Sequence, residues 1–396
     1  MPVPLFCPQP DCPNHLHPAL GWRVRFGHYP TAAHGLIQRY RCRCCGHTLS
    51  DQTHSLHYYA KRHLPLGALW SSLVAGSCLR EIATRYRLSA QTVQQALLRL
   101  GRQAMAAQCL LLTQLAPQAQ VVIDGLRSFL CCQDYPCELL ACVSKSGEMI
   151  LQLAHFISRR SGRISPAQLK RLRLRYRHWS PPVGALSGAI SSLCRQLWNQ
   201  LSLSVGNPSW IHSDEHPLYR HFLLHDPVAR HLRDSALLHH QRTASTAPRT
   251  RSNPLFPVNY IDRLLRHRMK EHTRETIAFG RNTTMQMHRA WIFAYDHNCR
   301  RPHRTRLPQS GSHAAVAGVP QKLLDSLSRE FFTRRIRLHQ VQVPMLIRQV
   351  WLAELATPPV RWRRGQRAEA GDFPRISVRI PDYARADLTA AHQQAA

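Results

Sequence analysis

Two groups of residues stand at spacings that suit metal ions. Cys7 and Cys12 (CPQPDC) are answered by Cys42 and Cys45 in YRCRCCGHTLS. Two pairs of thiolates on two chain turns can close a tetrahedral structural zinc site, because each turn presents two sulfurs to one ion. Gly46 can take positive φ directly after the second pair, as such a knuckle requires. Cys44 is a fifth thiol that could compete for the ion, and His15, His17 and His47 could each stand in for a cysteine. Further along, Asp124 in VVIDGLRSF and Asp214 in WIHSDEHPLY each follow a compact apolar run. Carboxylates are the natural ligands of Mg²⁺, a hard ion that keeps oxygen donors. Two such ions roughly 3.5–4 Å apart can activate the attacking oxygen and stabilise the leaving one in an in-line phosphoryl displacement.

The elements that would position these groups follow from the hydrophobic pattern. Leu79 to Tyr86 carries apolar residues at Leu79, Ile82, Ala83 and Tyr86, which is helical spacing. Arg87 and Leu88 make a turn, and Ser89 is a good N-cap for a second helix that buries Val93, Ala96, Leu97 and Leu100. Gln91, Thr92, Gln95 and Arg99 are then expected on the opposite side, free to pair with base edges or phosphates in a helix-turn-helix.

The middle of the chain reads as strands. Gln120 to Phe129 is an apolar run in which Asp124 is expected to close the strand; Cys137 to Val143 and Met149 to Ile157 follow, with a turn at 145–147. Helical patterns come next at 167–179 and 185–201, then a fourth strand at Ser209–His212 that Asp214 closes. The polar, basic segment 238–254 is expected to loop near nucleic acid, and a further helix begins near Val258. This order is that of a ribonuclease-H-like fold, in which acids at neighbouring strand ends converge and a third acid from the following helix completes a cage for two cations. If the fourth strand persists, Glu215 points to its other face.

Composition indicates the partner. Lys and Arg number 53 against 22 Asp and Glu, a formal net charge of +31 with an isoelectric point near 10.8. Such a field attracts phosphate backbones and makes binding strongly salt-dependent. No stretch approaches the roughly 18 consecutive apolar residues of a membrane span, and the start MPVPLFCP lacks a basic region followed by an apolar core. Thirteen irregularly spaced cysteines do not form a secreted disulfide framework. A soluble protein of a reducing cytoplasm, with no membrane partner, is expected.

Taken together, CPQPDC with YRCRCCGHTLS, SCLREIATRYRLSAQTVQQAL, VVIDGLRSF, WIHSDEHPLY and the segment from NPLFPVNYIDRLLR to NCRRPHR make the chain resemble a bacterial insertion-sequence transposase of the DDE type, over about residues 7 to 306. The resemblance implies an α/β protein: a zinc ribbon (1–55), a helix-turn-helix module (60–108), an RNase-H-like catalytic domain (118–306), and an unassigned C-terminal region (307–396). It also implies an enzyme of the nucleoid that binds the terminal inverted repeats of its mobile element, cuts the DNA and joins it to a target. Structural Zn²⁺, catalytic Mg²⁺ or Mn²⁺, double-stranded DNA and further copies of the chain in the synaptic complex are its implied partners. Asp124 resembles the first catalytic acid and Asp214 the second. Asp262 resembles the third, an Asp where an Asn/His-x-x-Glu helix usually carries Glu; Glu275 and Glu271 compete for that role. Arg301 and His303 resemble a basic tail that clamps phosphates. A non-catalytic DNA-binding protein, either a regulator or a decayed transposase, would share this pattern.

Beyond residue 309 the signal thins. VPMLIRQVWLAELA reads as strand or helix, RWRRGQRAEAG as a basic linker, PRISVRIPDY as a short strand, and the tail from Ala384 as poorly ordered.

Overall fold

The computed structural model describes residues 5–273, 278–339, 341–359, 376 and 378–393. At the N-terminus a short helix α1 (Pro13–Leu16) precedes an antiparallel sheet of β1 (Arg23–Thr31), β2 (Gly35–Cys42) and β3 (Thr48–Ser50). Its own core is only Cys7, Cys12, Trp22, Cys42 and Leu49. So few apolar groups cannot hold three strands alone, and small units of this kind need a cross-link or a metal.

Three helices follow: α2 (Leu66–Val74), α3 (Leu79–Arg85) and α4 (Ala90–Gln114). Arg87 takes φ +51° in the turn, and the Ser89 hydroxyl accepts the Thr92 N–H at 3.1 Å, the expected N-cap. α4 runs 25 residues, and from Ala96 to Cys109 every side chain is buried. A helix buried on all sides belongs to the core of a larger body. The first residues of α4 therefore serve the three-helix unit while its last turns pack on α10 (Thr283–Tyr295). The approach is close: a Cβ on Gly101 would meet the His288 Cβ at 2.8 Å.

The central sheet has the order β6-β5-β4-β7-β8. Its strands are β4 (Gln120–Phe129), β5 (Pro136–Ser144), β6 (Ile150–Ile157), β7 (Ser209–Asp214) and β8 (Leu238–Thr243). The first three form an antiparallel meander; β7 pairs parallel to β4, and β8 parallel to β7. Helices α5 (Pro166–His178) and α6 (Ala185–Arg195) lead into β7, α7 (Pro217–His225) and α8 (Pro227–Asp234) join β7 to β8, and α9 (Phe256–Arg268) packs on β4 and β5. The edge of β6 is covered: the Gln108 amide donates to the Ile150 and Leu151 carbonyls, and Asn298 bonds both backbone groups of Ile150. Capping an edge this way blocks further strand pairing.

Beyond α10 and a π-helical turn at Asp296–Arg300 come the hairpin β9 (Pro302–Arg304) and β10 (Leu307–Ser312), then α11 (His313–Val316), α12 (Gln321–Glu330), α13 (Met345–Trp351) and α14 (Asp382–Gln393). One continuous core reaches from Phe6 to Leu388, so the three-helix unit and the sheet are not separated by a linker.

Several expectations are corrected. Segment 238–254 is not all loop: its first part is β8, an edge strand whose polar residues disguise it, with only Leu238 and Thr243 buried. The expected helix over 185–201 ends at Arg195 and is followed by a 3₁₀ turn, Trp198–Gln200. Residues 384–393 of the tail are helical as part of α14, which docks on the N-terminal unit beside the sheet. There the Tyr383 hydroxyl donates to the Thr53 carbonyl, and Asp387 meets His15 at 3.3 Å and Arg337 at 3.2 Å. Met345–Trp351 of VPMLIRQVWLAELA folds as α13, residues 378–381 are not a strand, and the basic linker 361–371 lies outside the described residues.

Candidate metal centres and nucleic-acid face

The four expected thiols converge. Cys7 Sγ lies 3.5 Å from Cys45 Sγ, Cys12 Sγ lies 3.7 Å from Cys42 Sγ, and the four sulfurs are all within 4.8 Å of one another. Zinc–sulfur bonds of about 2.3 Å place the sulfurs of a tetrahedron about 3.8 Å apart. The spacing matches, so this largely buried group can hold a metal such as zinc. Gly46 takes φ +72° as the knuckle requires. Burial opposes ionisation of Cys42, yet the Cys45 and Cys44 N–H groups aimed at its sulfur bring the thiol down to about 7. Cys44 is exposed and outside the group. His15 is not a ligand: its Nδ1 bonds the Cys7 carbonyl at 2.7 Å and its Nε2 meets Asp387. It is the support a ligand-bearing turn needs.

The acids come together differently. In the β4/β7 register Ile123 pairs with Ser213, so one further step sets Asp214 beside Asp124 on the same face. Asp214 closes β7, but Asp124 does not close its strand, because β4 continues through Gly125 to Phe129, which pairs with Pro136. Asp262 projects from α9 on the stripe that buries Val258, Ile261 and Leu265. Its Oδ1 is buried with no hydrogen-bond partner. Burial pushes the Asp262 carboxyl up to about 8; the Asp124 charge pushes the same way, while Arg266 and Arg249 pull it down. Burial also raises Asp124, to about 6, against the Gly125 N–H that its Oδ1 accepts at 2.7 Å and with the Asp214 charge adding to the rise. Asp262 thus feels Asp124, and Asp124 feels Asp214, although the three do not form a group whose oxygens all lie within 4.8 Å.

Other acids are sorted by their partners. Glu271 is paired with Arg289 at 3.1 Å, and Glu275 lies outside the described residues. Glu215 is exposed. Sequence reasoning missed Glu138, whose carboxyl is raised by burial and further by Asp214, with Arg127 opposing. It pairs with Arg127 across β4 and β5, on the face opposite Asp124. Its signal was a lone acid within an otherwise apolar strand. Arg249, in the basic segment after β8, acts on both Asp124 and Asp262.

On the expected DNA face, Gln91, Thr92 and Gln95 line a cavity of about 380 Å³ together with Lys61, Arg62 and Arg379. Arg99 lines the same cavity but is not on an exposed side: it is buried, and its Nη1 donates to the Leu56 carbonyl at 3.0 Å and to that of Tyr58. Arg301 and His303 point to acids rather than outward, Arg301 bonding Asp296 at 2.6 Å and His303 facing Glu148 at 3.9 Å. Among the described residues no helix is long and apolar enough to cross a membrane. Neither protein-family models nor curated proteins match this chain.

Proposed function

We propose that this protein is a DNA transposase whose Asp124, Asp214 and Asp262 bind Mg²⁺ and cut and join DNA strands. The observation that carries the reading is the placement of Asp124 and Asp214 at adjacent positions of parallel strands, with Asp262 on the covering helix close enough to feel the Asp124 charge. A meander of three strands extended by two parallel ones, in the order 3-2-1-4-5, supports an RNase-H-like catalytic domain. The unpartnered Asp262 oxygen and the raised carboxyls are what an acid cluster shows before cations neutralise it. Two bound metals would supply the activated water or 3′ hydroxyl and stabilise the leaving oxygen. The protein's part is to hold the three carboxylates on one face and to bring Arg249 beside them, where its charge can meet a phosphate. Duplex DNA would be read at the N-terminal end of α4, with the four-thiol unit a zinc ribbon beside it.

Mg²⁺-dependent nicking and joining of a duplex carrying the DNA that flanks the reading frame tests this. Wild type should cleave, and Asp124→Asn should bind equally while cleavage falls about 10³-fold or more, the several kcal/mol that metal activation supplies. A non-catalytic DNA-binding protein is the second reading, favoured by the spread of the three carboxylates. Equal binding with no cleavage by wild type would select it.

A further inference from the structure

We infer that Glu148, His303 and His313 form a second metal site, distinct from the thiols and the acids, that takes a zinc-class divalent ion and clips the β9/β10 hairpin to the β5–β6 turn. One ligand atom from each of the three lies within 4.8 Å of the other two. They come from three places: Glu148 from the turn before β6, His303 from β9, and His313 from the start of α11. Two imidazole nitrogens and one carboxylate oxygen are a donor set for Zn²⁺, Co²⁺ or Ni²⁺, leaving a fourth position open.

Three observations point to an ion here. The His303 side chain is 10% exposed, and its Nε2 is buried without a hydrogen-bond partner. The His313 Nδ1 is held by the Gly147 carbonyl at 2.8 Å, which fixes the ring and leaves Nε2 as its free donor, the arrangement that orients metal-binding histidines. Glu148 holds φ +54°, a left-handed conformation that a non-glycine residue adopts only where its surroundings enforce it, and that strain presents a buried carboxylate to the two rings. One carboxylate oxygen already accepts from Arg304 at 3.1 Å, while the other, 3.9 Å from His303, has no donor so close. Bonds of about 2.0–2.2 Å in a tetrahedral site bring such donors to about 3.4 Å, so an ion would tighten the three by up to about 1.4 Å. The turn is already seated, since a Cβ on Gly147 would lie 2.8 Å from the His313 carbonyl oxygen.

Reconstitution of the full chain with Co²⁺ alone tests the site. The protein used carries Asp124→Asn and Asp262→Asn, so that cobalt bound at the acids is not counted. It should take two equivalents, one giving the intense thiolate-to-cobalt charge-transfer band of the four-cysteine group and one giving only weak visible bands of nitrogen and oxygen ligands. Adding His313→Gln or Glu148→Gln to this background should keep the charge-transfer band and lose the second equivalent. One equivalent before these changes, all of it thiolate-bound, overturns the proposal and leaves a buried Glu–His–Arg network. Retention of the second equivalent after both changes overturns it as well. The count in the starting background decides even if a further variant fails to fold.

Discussion

The four thiols, which can hold a metal, and the three acids, proposed to hold one, differ in how far they are assembled in advance. The sulfurs already stand 3.5 Å and 3.7 Å apart in pairs, near the separation an ion would impose, with His15 and α14 bracing their turn. The carboxylates share a face but not a tight cluster, and burial holds Asp262 and Asp124 protonated to higher pH, helped by the Asp124 charge at Asp262 and the Asp214 charge at Asp124. A structural ion is bound once and holds the fold, so its ligands can be fixed in advance. A catalytic ion must arrive with substrate, so its ligands carry strain that the ion relieves.

The largest expected break in this comparison is at the thiols. Cys42→Ser, or a strong chelator, should release the ion and unfold the N-terminal sheet, because a structural zinc contributes on the order of 10 kcal/mol to so small a core. Loss of β1–β3 amide protection with the β4–β8 sheet intact is the expected exchange pattern; an unchanged N-terminal sheet would show that its packing suffices. The counterpart at the acids is the loss of cleavage with folding intact in Asp124→Asn.

Along α4 the same division between fixed and presented groups can be sharpened. Arg99→Ala should cost about 1–3 kcal/mol of stability, since it leaves the buried Leu56 carbonyl and the half-buried Tyr58 carbonyl unpaired. Gln91→Ala should leave stability unchanged and weaken binding to specific duplex by about 1–3 kcal/mol. Chemical denaturation and DNA titration of both variants separate the two effects, and equal loss of DNA affinity in both would return Arg99 to the recognition surface.

The smallest effect is in pH dependence. A carboxyl whose folded value lies above its unfolded one costs stability as pH rises: nothing below about pH 4, where both states are protonated, and the full penalty above the folded value. For Asp262, near 8, the penalty is still growing between pH 7 and 9. Buried histidines such as His297, lowered to about 3 by burial, change stability only below about 6.5 and are silent in that window. Zinc-loaded, Mg²⁺-free wild type should therefore lose melting temperature between pH 7 and 9, while Asp262→Asn should lose less and melt higher at pH 9, on the order of 2 °C. Parallel curves would place Asp262 in water.

What could be read from the sequence, and what could not, follows from how each segment meets the core. β4 to β7 were legible as apolar runs, and Ser89 marked the start of α4. β8 was hidden because LHHQRT buries only its first and last residues. The position of Asp124 was misread because Asp-Gly signals a turn, whereas the pairing of Gly125 with Leu140 carries the strand on. Arg99 was misread because a two-sided helix was assumed where α4 is enclosed on every side. α14 was missed because Tyr383 and Asp387 anchor it to Thr53 and His15 at the far end of the chain and Leu388 is buried there. No local pattern reports such a contact.

The difference between the two sites is tested most directly by Mn²⁺ titration of zinc-loaded protein at pH 8, followed by electron paramagnetic resonance. Wild type should bind Mn²⁺, and Asp262→Asn should lose that binding while keeping its zinc. Wild type that binds no Mn²⁺, or binds it equally with and without the Asp262 carboxylate, would contradict a cation site built from these three acids.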